Sequence, residues 1–207
     1  MAYARPNWLN HKLFNLGNWG GALELFIGGP GGRFPYLHLD YYHLNAWITQ
    51  LYGEKQFTVF PRGQEHLLYP DPVNSWKSDL NIFEPDYEKY PLFRQATPIQ
   101  FTVGPGETLF IPFGTWHTAY SLTQTISVAF DQLNGKNYPA FMRDVWIFKK
   151  QQSTLKAVAV RLRLGGRAVL PRRGEKPSLA QPDRLFIARL LPPYCSTRTP
   201  FQKATRP

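Results

Sequence analysis

The sequence predicts a mainly β protein, a sandwich or small barrel followed by one C-terminal helix. Three observations carry that expectation. Aromatic residues make up 15% of the 207-residue chain, alongside 16 glycines and 19 prolines, a composition suited to short strands and frequent turns. Apolar segments of strand length recur between turn residues through the first two thirds of the chain. After Asn134-Gly135 the apolar spacing changes from that of a strand to that of a helix,.

The strand-like segments are LELFIGG (23–29), PYLHLD (35–40), AWITQLYG (46–53), KQFTVFP (55–61), IQFTVGPG (99–106), TLFIPF (108–113) and TISVAFDQ (125–132). Gly-Pro-Gly and Asn-Gly turns divide them. From Arg62 to Thr97 the chain is rich in Pro, Asp, Asn and Tyr. It reads as a long insertion with one short helix at GQEHLLYP, and insertions of this length are often functional rims. In YPAFMRDVWIFKKQQ, Phe141, Val145 and Phe148 recur at helical spacing behind a proline suited to a first turn. A helix is therefore expected from Tyr138 to Gln152. The expected division is one barrel over 1–137, this helix over 138–152, and a basic, poorly ordered tail over 153–207.

The net charge of +10 is unevenly placed. Residues 1–150 carry 12 basic and 12 acidic side chains, whereas residues 151–207 carry 12 and two. The excess belongs to the tail, a candidate arm for nucleic acid or an acidic membrane surface, with a solvated extension as the alternative. The single cysteine, Cys195, excludes an internal disulfide, so a cytoplasmic location is expected,. The first residues lack the apolar stretch of a signal peptide. No apolar run approaches the ~18–20 residues of a membrane span, so a soluble protein without a transmembrane segment is expected.

Chemistry concentrates in two segments. In an extended strand alternate side chains share a face, so His38 and Asp40 of PYLHLD can point into one cavity,. His117, in PGETLFIPFGTWHTAYSL, follows a turn and an apolar strand that could lie beside the first. Two imidazoles and one carboxylate form the facial triad of non-haem Fe(II) oxygenases, with coordination positions left open. A lone H-x-D is weak evidence, because its histidine is more often a core or surface residue. His11, His43 and His66 have no such framing and are read as surface or loop residues. Gly28 to Gly32 lacks the Lys-Ser/Thr and helix of a phosphate loop, and is read as a turn.

Taken together, these segments resemble the JmjC-like cupin family of 2-oxoglutarate oxygenases, and within it the factor-inhibiting-HIF asparaginyl hydroxylase group. HLDYYHLNAWITQLYGEKQFTVFP is similar to the family's H-x-D strand and following Gly-x-Lys strand, and VGPGETLFIPFGTWHTAYSL to its distal-histidine segment. EPDYEKYPLF in the insertion is similar to a stretch in the asparaginyl hydroxylase group. The resemblance runs from about Leu23 to Phe141.

That resemblance implies a double-stranded β-helix, the jelly-roll or cupin barrel, binding Fe(II) through His38, Asp40 and His117, with 2-oxoglutarate as cosubstrate and O₂ as oxidant. It carries the cosubstrate lysine onto Lys55, 17 residues after His38, where the ammonium would pair with the distal carboxylate. Three family positions differ: a Thr is Pro35, an Asn or Tyr is Ile48, and an Asn is Ala129. Other groups must supply those contacts, and strand parity offers Tyr36 and Thr49 as cofactor-binding candidates beside their reading as barrel packing. Trp47 and Trp116 are candidates to wall the site against water, with aromatic core packing as the favoured reading. Family members have further elements upstream of the metal strand, so a domain truncated at its N-terminus or completed by a partner is expected. A polypeptide side chain is the substrate the resemblance implies, though family members also act on RNA and other molecules, and nothing in the sequence selects among them. Two other readings are a catalytically inactive cupin-fold binding module and a cupin using another divalent ion. The retained triad with Lys55 favours the oxygenase.

Overall fold

The strand segments, apolar on alternate positions, assemble into two facing antiparallel sheets with the main core between them. A computed structural model describes residues 7–10, 23–154, 158 and 186–189. Its strands are β1 (Glu24–Gly28), β2 (Leu37–His38), β3 (Asn45–Tyr52), β4 (Lys55–Phe60), β5 (Lys77–Ser78), β6 (Ile99–Val103), β7 (Glu107–Ile111), β8 (Trp116–Ser121), β9 (Thr125–Gln132) and β10 (Phe186–Arg189), and helix α1 spans Tyr138–Gln152. One sheet runs β1-β9-β3-β7-β10 and the other β5-β2-β8-β4-β6. This is the jelly-roll arrangement of a cupin barrel.

Ala46 and Ile48 of β3 and Leu109 and Ile111 of β7 meet Phe57 of β4, Val103 of β6 and Ala119 of β8 in the core between the sheets. Gly53 lets β3 turn into β4. It has φ of 69°, and a Cβ there would lie 1.8 Å from the Gln124 carbonyl oxygen, which accounts physically for the glycine of Gly53-Glu54-Lys55.

The insertion from Arg62 to Thr97 covers the outer face of the second sheet. Leu68, Leu80 and Phe93 pack there on Leu37, Phe60 and Trp116. The expected short helix is a three-residue 3-10 turn, Glu65–Leu67. The helix α1 has the expected bounds and buries Phe141 and Val145 against Leu9, Leu44 and Leu133. Phe148 remains 40% exposed.

Three strands lie outside the segments anticipated as strands. β8 carries the distal histidine. β5 sits within the insertion. β10, in the basic tail, pairs with β7 from Phe186↔Phe110 to Arg189↔Glu107. Most of the 153–207 tail, and with it the candidate nucleic-acid arm, falls outside the described residues. Among the described residues no helix is long and apolar enough to cross a membrane.

Candidate metal centre

The register of the second sheet brings the two candidate histidines together. His38 of β2 is directly opposite His117 of β8, and directly opposed residues of an antiparallel pair project to the same face. Asp40 follows with extended backbone, φ −63° and ψ 143°, so the i, i+2 alternation continues past the strand end,. One ligand atom from each of His38, Asp40 and His117 lies within 4.8 Å of the others, and the group could hold a metal ion.

The hydrogen bonds around the imidazoles select their coordinating atoms. His38 Nδ1–H donates to the Tyr36 carbonyl at 3.2 Å, and His117 Nδ1–H donates to the Thr115 carbonyl at 2.9 Å. Each Nε2 lone pair is then free to coordinate, and each ring is held by a carbonyl two residues upstream. His117 Nε2 is 3.7 Å from Asp40 Oδ1. Asp40 stands at the N-cap position of the 3-10 turn Tyr41–His43 but makes no side-chain cap bond there, which leaves its carboxylate available.

Burial, and then the neighbouring His117, push His38 down to about 3 against its bond to Tyr36. It is therefore neutral, as a ligand must be. Burial also raises the Asp40 carboxyl, with His117 pulling it back. A divalent cation among the three would reverse the effect of burial on Asp40.

The chain turns sharply after Asp40. Tyr42 and His43 have φ of 53° and 51°, a left-handed conformation costly to residues with a Cβ. Packing and hydrogen bonds hold the turn. His43 Nδ1 contacts Asp144 Oδ2 of α1 at 2.5 Å, and buried Asn137 donates its amide to the His43 and Gln132 carbonyls, each at 3.0 Å. His43, expected to be a surface or loop residue, thus ties the metal loop to the helix.

Lys55 opens β4 on the same inner face as the histidines, because Val59, Phe57 and Lys55 are opposite His117, Ala119 and Ser121 in turn. Its ammonium lies 5.6 Å from the centre of the Phe26 ring, and burial lowers its pKa. Among the described residues no carboxylate is within ion-pair distance of it. Tyr36 is beside the centre: its ring meets the His38 imidazole edge-on at 5.8 Å, while Phe34 stacks on that imidazole at 4.2 Å.

Thr49 is on the opposite face of β3, which corrects its placement beside Lys55. Its hydroxyl bonds Thr108 Oγ1 at 3.0 Å, on the side of Trp47 and Phe110 rather than of Ala46 and Ile48. The irregularity between Gln50 and Tyr52 and the turn at Gly53 break the parity count from Thr49 to Lys55. Trp47 shares that outer face, and Trp116 packs behind the sheet among Leu37 and Phe60. Asp131 was not anticipated. It is two residues beyond Ala129 on the inner face of β9, opposite Ala46, and burial, then Asp40, then Glu24 raise its carboxyl to about 7. Extending the alternation of β9 by one step from Ala129 would have found it.

Two facing antiparallel sheets with two histidines and a carboxylate converging on an inner face define a cupin-type barrel able to hold a metal ion. The chain belongs to the cupin-like domain family, whose pattern matches residues 7–131. It is 34% identical over 114 residues to the arginine-specific demethylase JMJ20 of Arabidopsis thaliana, covering 55% of this chain and 24% of that protein. It is 29% identical over 154 residues to the mouse 2-oxoglutarate and iron-dependent oxygenase JMJD4, covering 72% of this chain and 34% of that one. Human HSPB1-associated protein 1 is 34% identical over 117 residues, 54% of this chain and 24% of the relative. The chain thus spans about a quarter to a third of the length of these relatives.

Proposed function

We propose that this chain is the cupin core of an Fe(II)- and 2-oxoglutarate-dependent oxygenase that hydroxylates a polypeptide side chain. The observation that carries the reading is the pair of backbone-tethered imidazoles, each with Nε2 free, converging with Asp40 on one inner face. Nitrogen and carboxylate donors in this number suit Fe(II) and leave positions for a chelating cosubstrate and O₂. When bound, the iron supplies oxidative decarboxylation: one atom of O₂ enters succinate with loss of CO₂, and the other is inserted into a substrate C–H bond.

This chain's residues bind and orient. Lys55, half-buried without a carboxylate partner among the described residues, takes the distal carboxylate of 2-oxoglutarate. Phe34 and Tyr36 wall His38 and limit water at the centre. Support for a protein substrate comes from a relative whose name describes an arginine-specific demethylase. Incubation with Fe(II), 2-oxoglutarate and O₂ should yield succinate, with the yield lost in Asp40→Ala. Stoichiometric binding of both Fe(II) and 2-oxoglutarate without any succinate would instead make the chain a binding module.

A further inference from the structure

The barrel interior carries an acidic side chain that the proposed chemistry does not use. Asp131 projects inward from β9, opposite Ala46 of β3, where β3 leaves the turn that follows Asp40. Its backbone is fixed. The Asp131 carbonyl accepts a hydrogen bond from Asn7 Nδ2 at 2.7 Å, and the adjacent Gln132 side chain accepts one from Trp47 Nε1 at 3.1 Å on the outer face. The carboxylate is thus positioned without taking part in the bonds that position it.

No structural task accounts for this side chain. Among the described residues no hydrogen bond and no basic group reaches its oxygens, and Ala46 and Ala129, its neighbours on the inner face, offer only methyl groups. Aspartate is also disfavoured within strands. The charges that act on it are both negative, Asp40 first and then Glu24, and Glu24 shares the inner face because it is opposite Ala129,. A half-buried carboxylate with no cation to offset it is costly to leave unmatched,. Both of its oxygens keep accessible surface, unlike the unpartnered Trp116 Nε1 and Thr118 Oγ1, which are sealed. A group entering the barrel can therefore reach them.

We propose that Asp131 is a specificity-determining residue that receives a basic side chain, arginine or lysine, of the polypeptide brought to the metal centre. The proposal rests on the reading of the triad as the reacting centre. The substrate cation pairs with the Asp131 carboxylate, and Glu24 adds attraction from the same face. A metal at the triad offsets the charge of Asp40, which leaves Asp131 as the acceptor beside it. An acidic side chain is repelled at this position, and a neutral one forgoes the ion pair.

The probes are the N-acetyl methylamides of arginine, lysine, citrulline and norleucine, titrated by calorimetry into the full chain, both metal-free and anaerobically loaded with Fe(II). Saturable binding in the millimolar range or tighter is expected for a basic probe, about tenfold or more above its neutral counterpart, citrulline for arginine and norleucine for lysine. The two pairs separate a guanidinium from an ammonium. Asp131→Asn keeps the shape and removes the charge, so it should bring the basic probes down to the level of the neutral ones, whereas Asp131→Glu should retain the preference. Equal binding of basic and neutral probes would overturn the proposal, as would undiminished binding to Asp131→Asn. A large loss of Fe(II) affinity in Asp131→Asn with the basic preference intact would also overturn it, by making Asp131 a support of the metal. The metal-free titration requires neither iron nor turnover, so a native chain that binds no Fe(II) would count against the oxygenase reading and not against the contact at Asp131.

Discussion

The two ends of the inner face of the second sheet ask for opposite charges. At one end, His38, Asp40 and His117 present lone pairs and a carboxylate, with both imidazoles fixed by backbone carbonyls. At the other, four residues along β8 and roughly 13 Å away at strand spacing, Lys55 presents an ammonium. On the proposed reading the first end takes a cation and the second an anion. A single bifunctional ligand that chelates a metal with one end and carries a carboxylate at the other satisfies both, and 2-oxoglutarate has that form. The contrast is also one of rigidity: the histidine end is pinned by hydrogen bonds, whereas Lys55 is held by aromatic contact and burial.

The largest effects should come from breaking the cation end. Replacing His38, Asp40 or His117 by Ala should abolish stoichiometric Fe(II) binding, measured anaerobically by calorimetry, while far-UV circular dichroism stays close to that of the native chain. Wild-type Fe(II) affinity in Asp40→Ala would remove that carboxylate from the ligand set. Breaking the anion end should leave the metal in place. Lys55→Met leaves the bound carboxylate unpaired at a cost of roughly 3–5 kcal/mol, a hundredfold or more in 2-oxoglutarate affinity. An unchanged dissociation constant would mean that another group anchors the distal carboxylate.

The cation end can be sharpened through Asp131. Its carboxyl is raised to about 7, chiefly by burial, so between pH 4 and 7 the folded chain holds a proton that the unfolded chain has released. Stability of the metal-free protein should therefore fall as pH rises through that window, by on the order of 3 kcal/mol from this group. Asp131→Asn should flatten that decline in urea melts. An identical slope in the variant would transfer the effect to other groups.

Much of this was legible in the sequence because apolar alternation is local. Six of the seven anticipated strand segments contain strands close to the expected bounds, and α1 follows from the spacing of Phe141 and Val145. PYLHLD retains only two strand residues, Leu37–His38, because the chain bulges around Thr118. What depended on pairing was not legible. β10 is a strand by virtue of the β7 edge, β5 by virtue of β2, and the face of Thr49 was set by an irregularity in β3 that no residue count reveals. At the site, the H-x-D motif and distal histidine were readable as residue types. Their convergence came from the His38↔His117 register, and the tethers that free Nε2 came from carbonyls that any residue could have supplied.

The smallest expected effect tests what holds Asp40 in place. Asp40 leads into two successive left-handed residues, Tyr42 and His43, and such a turn persists only where its surroundings over-determine it. Asn137 grips the His43 carbonyl and Asp144 grips the His43 ring, while Tyr42 packs edge-on against Phe141 at 6.1 Å. Of these contacts the Asp144 bond is the most exposed, with side chains 30% and 24% accessible, so solvent replaces part of what its loss removes. Asp144→Asn should therefore weaken Fe(II) binding only severalfold, below the tenfold or more typical of residues bonded directly to a ligand, and should lower the urea midpoint slightly. Asn137 is fully buried and holds two carbonyls at once, so Asn137→Ala should cost more in both measurements. Equal metal affinity in Asp144→Asn and the native chain, alongside a clear loss in Asn137→Ala, would place control of Asp40 in the backbone grip alone and reduce the His43–Asp144 pair to a surface contact.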